Sequence, residues 1–416
     1  MQWLALVIAA ISEYILFHAW AYRSLLLRRS RVTVTTRVLV TGSRGKSGTV
    51  RLTQALLATK MPTYAKVTGT VAQEIWVDGS VHRTRRIGPI AVSELAEALY
   101  RAKKAGATAA VIECMAVVPK LIQFAQRQVI DAQVVVIPTI RPDHLEDEGL
   151  DVTQIVTNIL AAVGKDDVVV TGEREPEALT AMREWCSSQG VQLIEAKPSK
   201  NQIDVPGHHP TNVAVALAVA DVLSIDLTPS VAKRALLSAS REPDSEIGWV
   251  HWFGDQELRF VDIGGANDVE SSQEAISRAS DFLGDRPTTA LIVNKWDRPL
   301  RGLAFANALG ERQRAHKVIV VGDGWLQSRR ALIDAGYKPH DIIHLGFWRT
   351  ANTRRTLHFL NHLRGDLPEM NLVMFENIHA WPADQLRKAI RRHASPVMHG
   401  QPIPKRPAVK KGTTRG

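Results

Sequence analysis

Short apolar or β-branched runs alternate with amphipathic stretches along most of this chain, a pattern that predicts an α/β fold. Residues 37–40, 109–113, 134–137 and 168–171 are short, mostly apolar runs, as expected of strands buried on both faces. Between them, residues 48–59, 93–104 and 153–163 show the spacing of half-buried helices. A long apolar helix over residues 212–223 closes this first series. A second series begins near Ile247, with strands predicted over 258–263, 290–293, 318–321, 342–344 and 372–375. It reads as a smaller, doubly wound domain.

The two ends of the chain follow other rules. From Trp3 to Tyr22 the residues are mostly apolar, close to the ~20 needed to span a bilayer. Glu13 and His18 interrupt the run, and an acid at a helix centre costs about 2.5–3.5 kcal/mol on insertion scales. Arg23, Arg28, Arg29, Arg31 and Arg37 follow, and would hold the bulk of the protein on the cytoplasmic side. The expectation is a single-pass membrane anchor over residues 1–22 and a basic linker over 23–35. A helix lying on the membrane surface is the alternative. Domains are expected over 36–240 and 241–394, followed by a disordered basic tail over 395–416, which has no acid.

Charge narrows the partners. The formal net charge is +10, which suits nucleic acid, an anionic membrane surface or an acidic substrate. No RNP-type aromatic stripe, zinc-finger spacing or helix-turn-helix accompanies it, so no nucleic-acid partner is expected. Two cysteines, Cys114 and Cys186, make neither a disulfide framework nor a zinc site, and fit a reducing compartment.

The chemistry gathers at Gly42-Ser43-Arg44-Gly45-Lys46-Ser47-Gly48, between a predicted strand and a predicted helix. Strand, glycine loop and helix in that order form a phosphate-binding loop. The usual pattern has a glycine where this chain has Val40, so the retained core is G-x-x-G-K-S. Backbone N–H groups would cradle phosphate oxygens, Lys46 would reach the β/γ-phosphates and Ser47 would meet Mg²⁺. Two carboxylates near strand ends are candidate metal ligands: Glu113, and Asp143 beside His144.

In order along the chain these motifs resemble the ligase subunits of poly-γ-glutamate synthases (the PgsB/CapB type), within the Mur ligase superfamily. The loop resembles their G-x-R-G-K-S, and Lys66-Val67-Thr68-Gly69-Thr70 their K-T-T-G-T. Gly88-Pro89 falls where they have Gly-Pro, Glu113-Cys114-Met115-Ala116-Val117 is similar to E-C-M-A-V, Asp143-His144-Leu145-Glu146 to D-H-M-D, and Asn377-Ile378-His379 to N-I-H. The resemblance implies a Mur-ligase-like P-loop ATPase domain followed by a smaller Rossmann-like domain. It also implies ATP with Mg²⁺, or Mn²⁺ in its place.

By the same resemblance Lys46, Glu113, His144 and Arg44 would be catalytic, and Ser47, Thr68, Glu113 and His144 would surround the metal. Asn212 would contact adenine, although the family's histidine is Thr211 here and its second asparagine Val215. Asn267 and Asp268 lie in a segment similar to the Mur D-x-A-H-N-P region without its histidine. Asn294, Asp297 and Arg298 resemble an N-x-x-x-D-R segment, one residue shorter. No lysine follows His144 at the spacing of the carbamoylated lysine of many Mur enzymes, and the large UDP-binding domain of Mur enzymes is not expected here.

The implied reaction joins glutamate to a growing poly-γ-glutamate chain through a γ-glutamyl phosphate, releasing ADP and phosphate. A small polytopic membrane subunit and a homo-oligomer are the expected assembly. A Mur-like ligase for another acid and amine, and a non-catalytic ATP-binding subunit, stay open. So does a GTPase, because Asn294-Lys295-Trp296-Asp297 fits N-K-x-D and Asp262-Ile263-Gly264-Gly265 fits D-x-x-G.

Overall fold

The computed structural model describes residues 2–68, 72–84, 92–141, 151–199, 202–205, 208–239, 246–263, 269–295, 299–311, 315–345, 353–364, 369–375, 381–398 and 402–404. The chain divides into two compact units, Met1–Pro243 and Asp244–Gly416.

The first unit holds a mixed eight-stranded sheet. In chain order its strands are β1 (Thr36–Val40), β2 (Thr63–Val67), β3 (Gln73–Ile75), β4 (Val81–Arg83), β5 (Ala109–Glu113), β6 (Val134–Ile137), β7 (Val168–Thr171) and β8 (Gln192–Glu195). Their spatial order is β4-β3-β2-β5-β1-β6-β7-β8. All neighbours are parallel except β2, β3 and β4, which pair antiparallel at one edge. The strand β1 is central, parallel to β5 on one side and β6 on the other.

Strand periodicity sends alternate residues to opposite faces. Val38 and Val40 enter a core shared with the helices α2 (Lys46–Leu57) and Pro210–Val222. Leu39 faces the opposite core, beneath α3 (Ser93–Lys104). The helices Val152–Leu160 and Pro176–Gln189 cover the β6–β7 end of that face through Ile155, Ile159, Ala178 and Met182.

The second unit has a seven-stranded sheet of β9 (Glu246–Phe253), β10 (Gln256–Asp262), β11 (Thr288–Asn294), β12 (Lys317–Gly322), β13 (Ile342–His344), β14 (Glu369–Phe375) and β15 (Ser395–Met398). The order is β13-β12-β11-β14-β10-β9-β15, with a parallel centre. Toward one edge, β9 pairs antiparallel with both β10 and β15. The domain is therefore a mixed sheet rather than a purely parallel one, with Phe282, Phe305 and Leu332 on one face and Phe359, Leu360 and Leu386 on the other.

Two expectations are corrected. Residues 395–398, assigned to the tail, form β15 against β9. The anchor of 1–22 and the linker of 23–35 are not separate elements: Gln2–Thr33 is one helix, α1, of 32 residues. No Gly or Pro breaks it, so the arginines continue the same helix. Among the described residues no helix is both long and apolar enough to cross a membrane.

Its C-terminal end is fixed to the first unit. Arg37 Nη1 donates to the carbonyls of Val34 at 2.9 Å and Arg31 at 3.1 Å, occupying acceptors that a helix end leaves open. Arg37 Nε reaches the Ile130 carbonyl at 2.8 Å, and Arg31 Nε the Val129 carbonyl at 2.9 Å.

Candidate active site

The phosphate loop leaves the carboxyl end of β1, where parallel sheets collect ligands. Gly42 has φ 106° and Gly45 φ 78°, the left-handed region that favours glycine. Gly45 caps α2 without a side-chain hydrogen bond, and the first turn of α2 has no acid. A helix start built this way, with Lys46 where the positive end of the dipole disfavours a cation, keeps its amide groups for an anion. A Cβ on Gly45 would lie 2.5 Å from Asn212 Oδ1, and one on Gly48 2.8 Å from Asn212 Nδ2. The Asn212 amide thus lies against the first turn after the loop.

Register explains how Glu113 joins the loop. It ends β5 directly beside Val40, the last residue of β1. Its side chain is 1% exposed. Glu113 Oε2 accepts from Ser47 Oγ at 3.0 Å and from the Thr68 N–H at 2.8 Å. Three segments far apart in sequence thereby converge on one carboxylate. Lys46 Nζ donates to the Gly42 carbonyl and, at 3.1 Å, to that of Ser43. The ammonium lies over the loop it would share with a phosphate.

The oxygen donors Ser47 Oγ and Glu113 suit a hard divalent cation, which takes one or two carboxylates plus substrate phosphates. Among the described residues no group of three or more His, Cys, Asp or Glu side chains gathers for a metal. Cys114, next to Glu113, is buried, and burial pushes its thiol up to about 11, away from the thiolate.

Of the residues singled out by sequence, Gly42, Ser43, Arg44, Gly45, Lys46, Ser47, Gly48, Thr68, Glu113 and Asn212 belong to the first unit. His144, Asn267, Asp268, Asp297 and Arg298 lie outside the described residues. Asn294 ends β11 in the second unit, where its amide is bonded to Ser328 Oγ at 3.0 Å. The N-K-x-D and D-x-x-G patterns therefore start on a different sheet from the phosphate loop, against the GTPase layout. Asp262 at the end of β10 is paired with Arg387, which also bonds Asp384 at 2.9 Å.

Sequence reasoning quoted Lys66 only as part of a motif, without a role, and passed over Glu173. Lys66 is 1% exposed and pairs with Glu94 at 3.2 Å. Glu173, fully buried two residues past β7, bonds the loop after β6. Like Glu113 it is an acid close to the carboxyl end of a strand, but that position does not reveal its burial.

Comparison with known proteins bears on the fold and the family. Residues 40–205 match the Mur ligase middle domain, and residues 249–393 the poly-gamma-glutamate synthase CapB C-terminal domain. The capsule biosynthesis protein CapB of Bacillus anthracis is 28% identical over 377 residues, 88% of this chain and 78% of that protein. The PGA synthase CapB of Bacillus subtilis (strain 168) is 26% identical over 365 residues, 84% of this chain and 92% of that protein. Among solved structures, a bifunctional folylpolyglutamate synthase/dihydrofolate synthase with Mn, AMPPNP and L-glutamate bound shares the fold. Its TM-score is 0.59 at 14% identity, covering 88% of this chain and 93% of the other. With a match to the Mur ligase middle domain followed by a match to the CapB C-terminal domain, the chain is similar along most of its length to the CapB-type poly-γ-glutamate synthase subunits.

Proposed function

We propose that the chain is an ATP-dependent amide ligase that extends poly-γ-glutamate by one glutamate per ATP. The observation that carries this reading is the convergence of Ser47 and Thr68 on the Glu113 carboxylate beside the phosphate loop. A carboxylate cannot expel hydroxide to form an amide at neutral pH. In this reading a glutamate γ-carboxylate oxygen attacks the γ-phosphorus of ATP, and the bond to ADP breaks. The amine of the second glutamate then attacks the acyl carbon of the γ-glutamyl phosphate, and phosphate leaves with the electron pair.

Lys46 and the loop N–H groups stabilise charge on the phosphoryl oxygens, and Arg44 orients an anionic group. Ser47 and Glu113, with Thr68 and His144 nearby, would hold Mg²⁺, which neutralises phosphate charge. Asn212 lies on the nucleotide side. Asn267, Asp268, Asn294, Asp297 and Arg298 remain candidate substrate residues. A net charge of +10 suits a polyanionic product. In the same reading the exposed apolar residues of α1, among them Trp3, Ile11 and Phe17, contact a small membrane subunit of the synthase.

The test is a trapping assay on membranes carrying the full chain and its partner subunits, with ATP, Mg²⁺, glutamate and hydroxylamine. Glutamate-dependent ADP together with γ-glutamyl hydroxamate is the expected result. AMP in place of ADP would mean adenylation and overturn the acyl phosphate. ADP without hydroxamate would leave a nucleotide-binding subunit.

A further inference from the structure

We propose that Glu173 is a positioning residue for the nucleotide site, holding the phosphate loop in register from behind. The inference rests on the nucleotide-binding part of the function proposed above.

Glu173 is fully buried, and its two oxygens accept four hydrogen bonds. Oε2 takes the Ile140 N–H. Oε1 takes Arg141 Nη1 at 2.9 Å and the N–H groups of Arg174 and Glu175, each at 2.8 Å. Removing a carboxylate from water is costly, and an apolar side chain would fill the same space without that cost. What the carboxylate achieves is a joint: its donors come from the loop after β6 and from its own strand end. The joint is braced by Thr171 Oγ1, which donates to the Ile137 carbonyl at 2.8 Å and accepts from the Glu173 N–H at 3.1 Å.

The far side of the braced loop grips the phosphate loop at Ser43. The Ser43 N–H donates to the Thr139 carbonyl at 2.9 Å. Ser43 Oγ donates to the Arg141 carbonyl at 2.8 Å and accepts from the Arg141 N–H at 3.0 Å. Arg44 and Thr139 form an isolated antiparallel bridge. The Thr139 carbonyl also lies 2.9 Å from where a Cβ on Gly42 would be. Ile140 and Arg141, the residues held by Glu173, are thus neighbours of, or identical to, those that hold Ser43. No atom of Glu173 needs to touch the nucleotide. It acts through Arg141 and Ser43.

The test is a double-variant cycle read by Mg·ADP affinity in calorimetry, with thermal unfolding of the same full-length proteins. In Glu173→Gln the amide NH₂ must face an N–H donor in either orientation. In Ser43→Ala both hydroxyl bonds to Arg141 are lost. Each single variant is expected to bind about tenfold more weakly, and the double variant also about tenfold rather than about a hundredfold, because the two act in one chain. Losses that multiply, or wild-type affinity in folded Glu173→Gln, would overturn the proposal. If Glu173→Gln does not fold, Glu173→Asp takes its place in the same cycle with the same criterion. A wild-type chain that does not bind Mg·ADP would overturn both this proposal and the nucleotide reading beneath it.

Discussion

Replacing Lys46 with alanine is expected to cut turnover by roughly 10²–10³-fold, the usual loss when one preorganised charge donor is removed from a phosphoryl or acyl transfer site. Stability should move little, and the reason is local. Lys46 is the first residue of α2, where the helix dipole is positive, and its side chain spans back to the carbonyls of Gly42 and Ser43. Deleting the ammonium forfeits two partly solvated hydrogen bonds. It also relieves an unfavourable charge–dipole term of about 0.3–1 kcal/mol. The unfolding midpoint should therefore stay within about 3 °C of wild type. Rates of ADP release and a thermal melt on the same preparation check both halves. Turnover at the wild-type rate would remove Lys46 from the phosphate site.

Glu113→Gln is expected to lower turnover by roughly 10²–10³-fold and to raise the Mg²⁺ concentration needed for half-maximal rate. Glutamine is the informative choice because both Ser47 Oγ and the Thr68 N–H bond the same oxygen, Oε2. An amide that presents its carbonyl oxygen there keeps both bonds, so β5, the loop and β2 can stay joined. Only the negative charge is lost. Alanine would instead leave the buried Thr68 N–H without an acceptor, a loss of about 1–3 kcal/mol that would mix folding with chemistry. Titrating Mg²⁺ and Mn²⁺ against rate separates the outcomes. An unchanged half-saturating concentration would mean that Glu113 is structural and that the cation lies elsewhere.

The central strands were legible because burial on both faces demands uninterrupted Val, Leu and Ile, as in Val38-Leu39-Val40 and in β6. The periphery was not. The hairpin β3–β4 reads Gln-Glu-Ile and Val-His-Arg, and β8 begins on a glutamine, so hydropathy gives edge strands of this kind no contrast with loops. The buried polar layer was likewise opaque. Lys66 and Glu173 look like surface charges in the sequence and become interior groups only when distant segments supply Glu94 or the Ile140 N–H. At the site, Gly45, Lys46 and Ser47 announced themselves by spacing. The joining of Ser47, Thr68 and Glu113 on one oxygen depends on the β1–β5 register, which no local pattern encodes. The N-terminal division into anchor and linker missed the single helix for a related reason. It weighed apolar content, while helix continuity from Gln2 to Thr33 is decided by the absence of any breaker.

That continuity has a mechanical consequence. Only Val34 and Thr35 separate α1 from β1, and Arg37 bolts the helix end to the strand that launches the phosphate loop. At ~1.5 Å per residue α1 is about 48 Å long. A flexible linker would have made the N-terminus a leash, limiting how far the ATP site could wander but not which way it pointed. A rigid helix is a strut. Whatever takes hold of the exposed apolar side chains between Trp3 and Tyr22 also sets the heading of the loop at the other end. The orientation of the site is then set by the same grip.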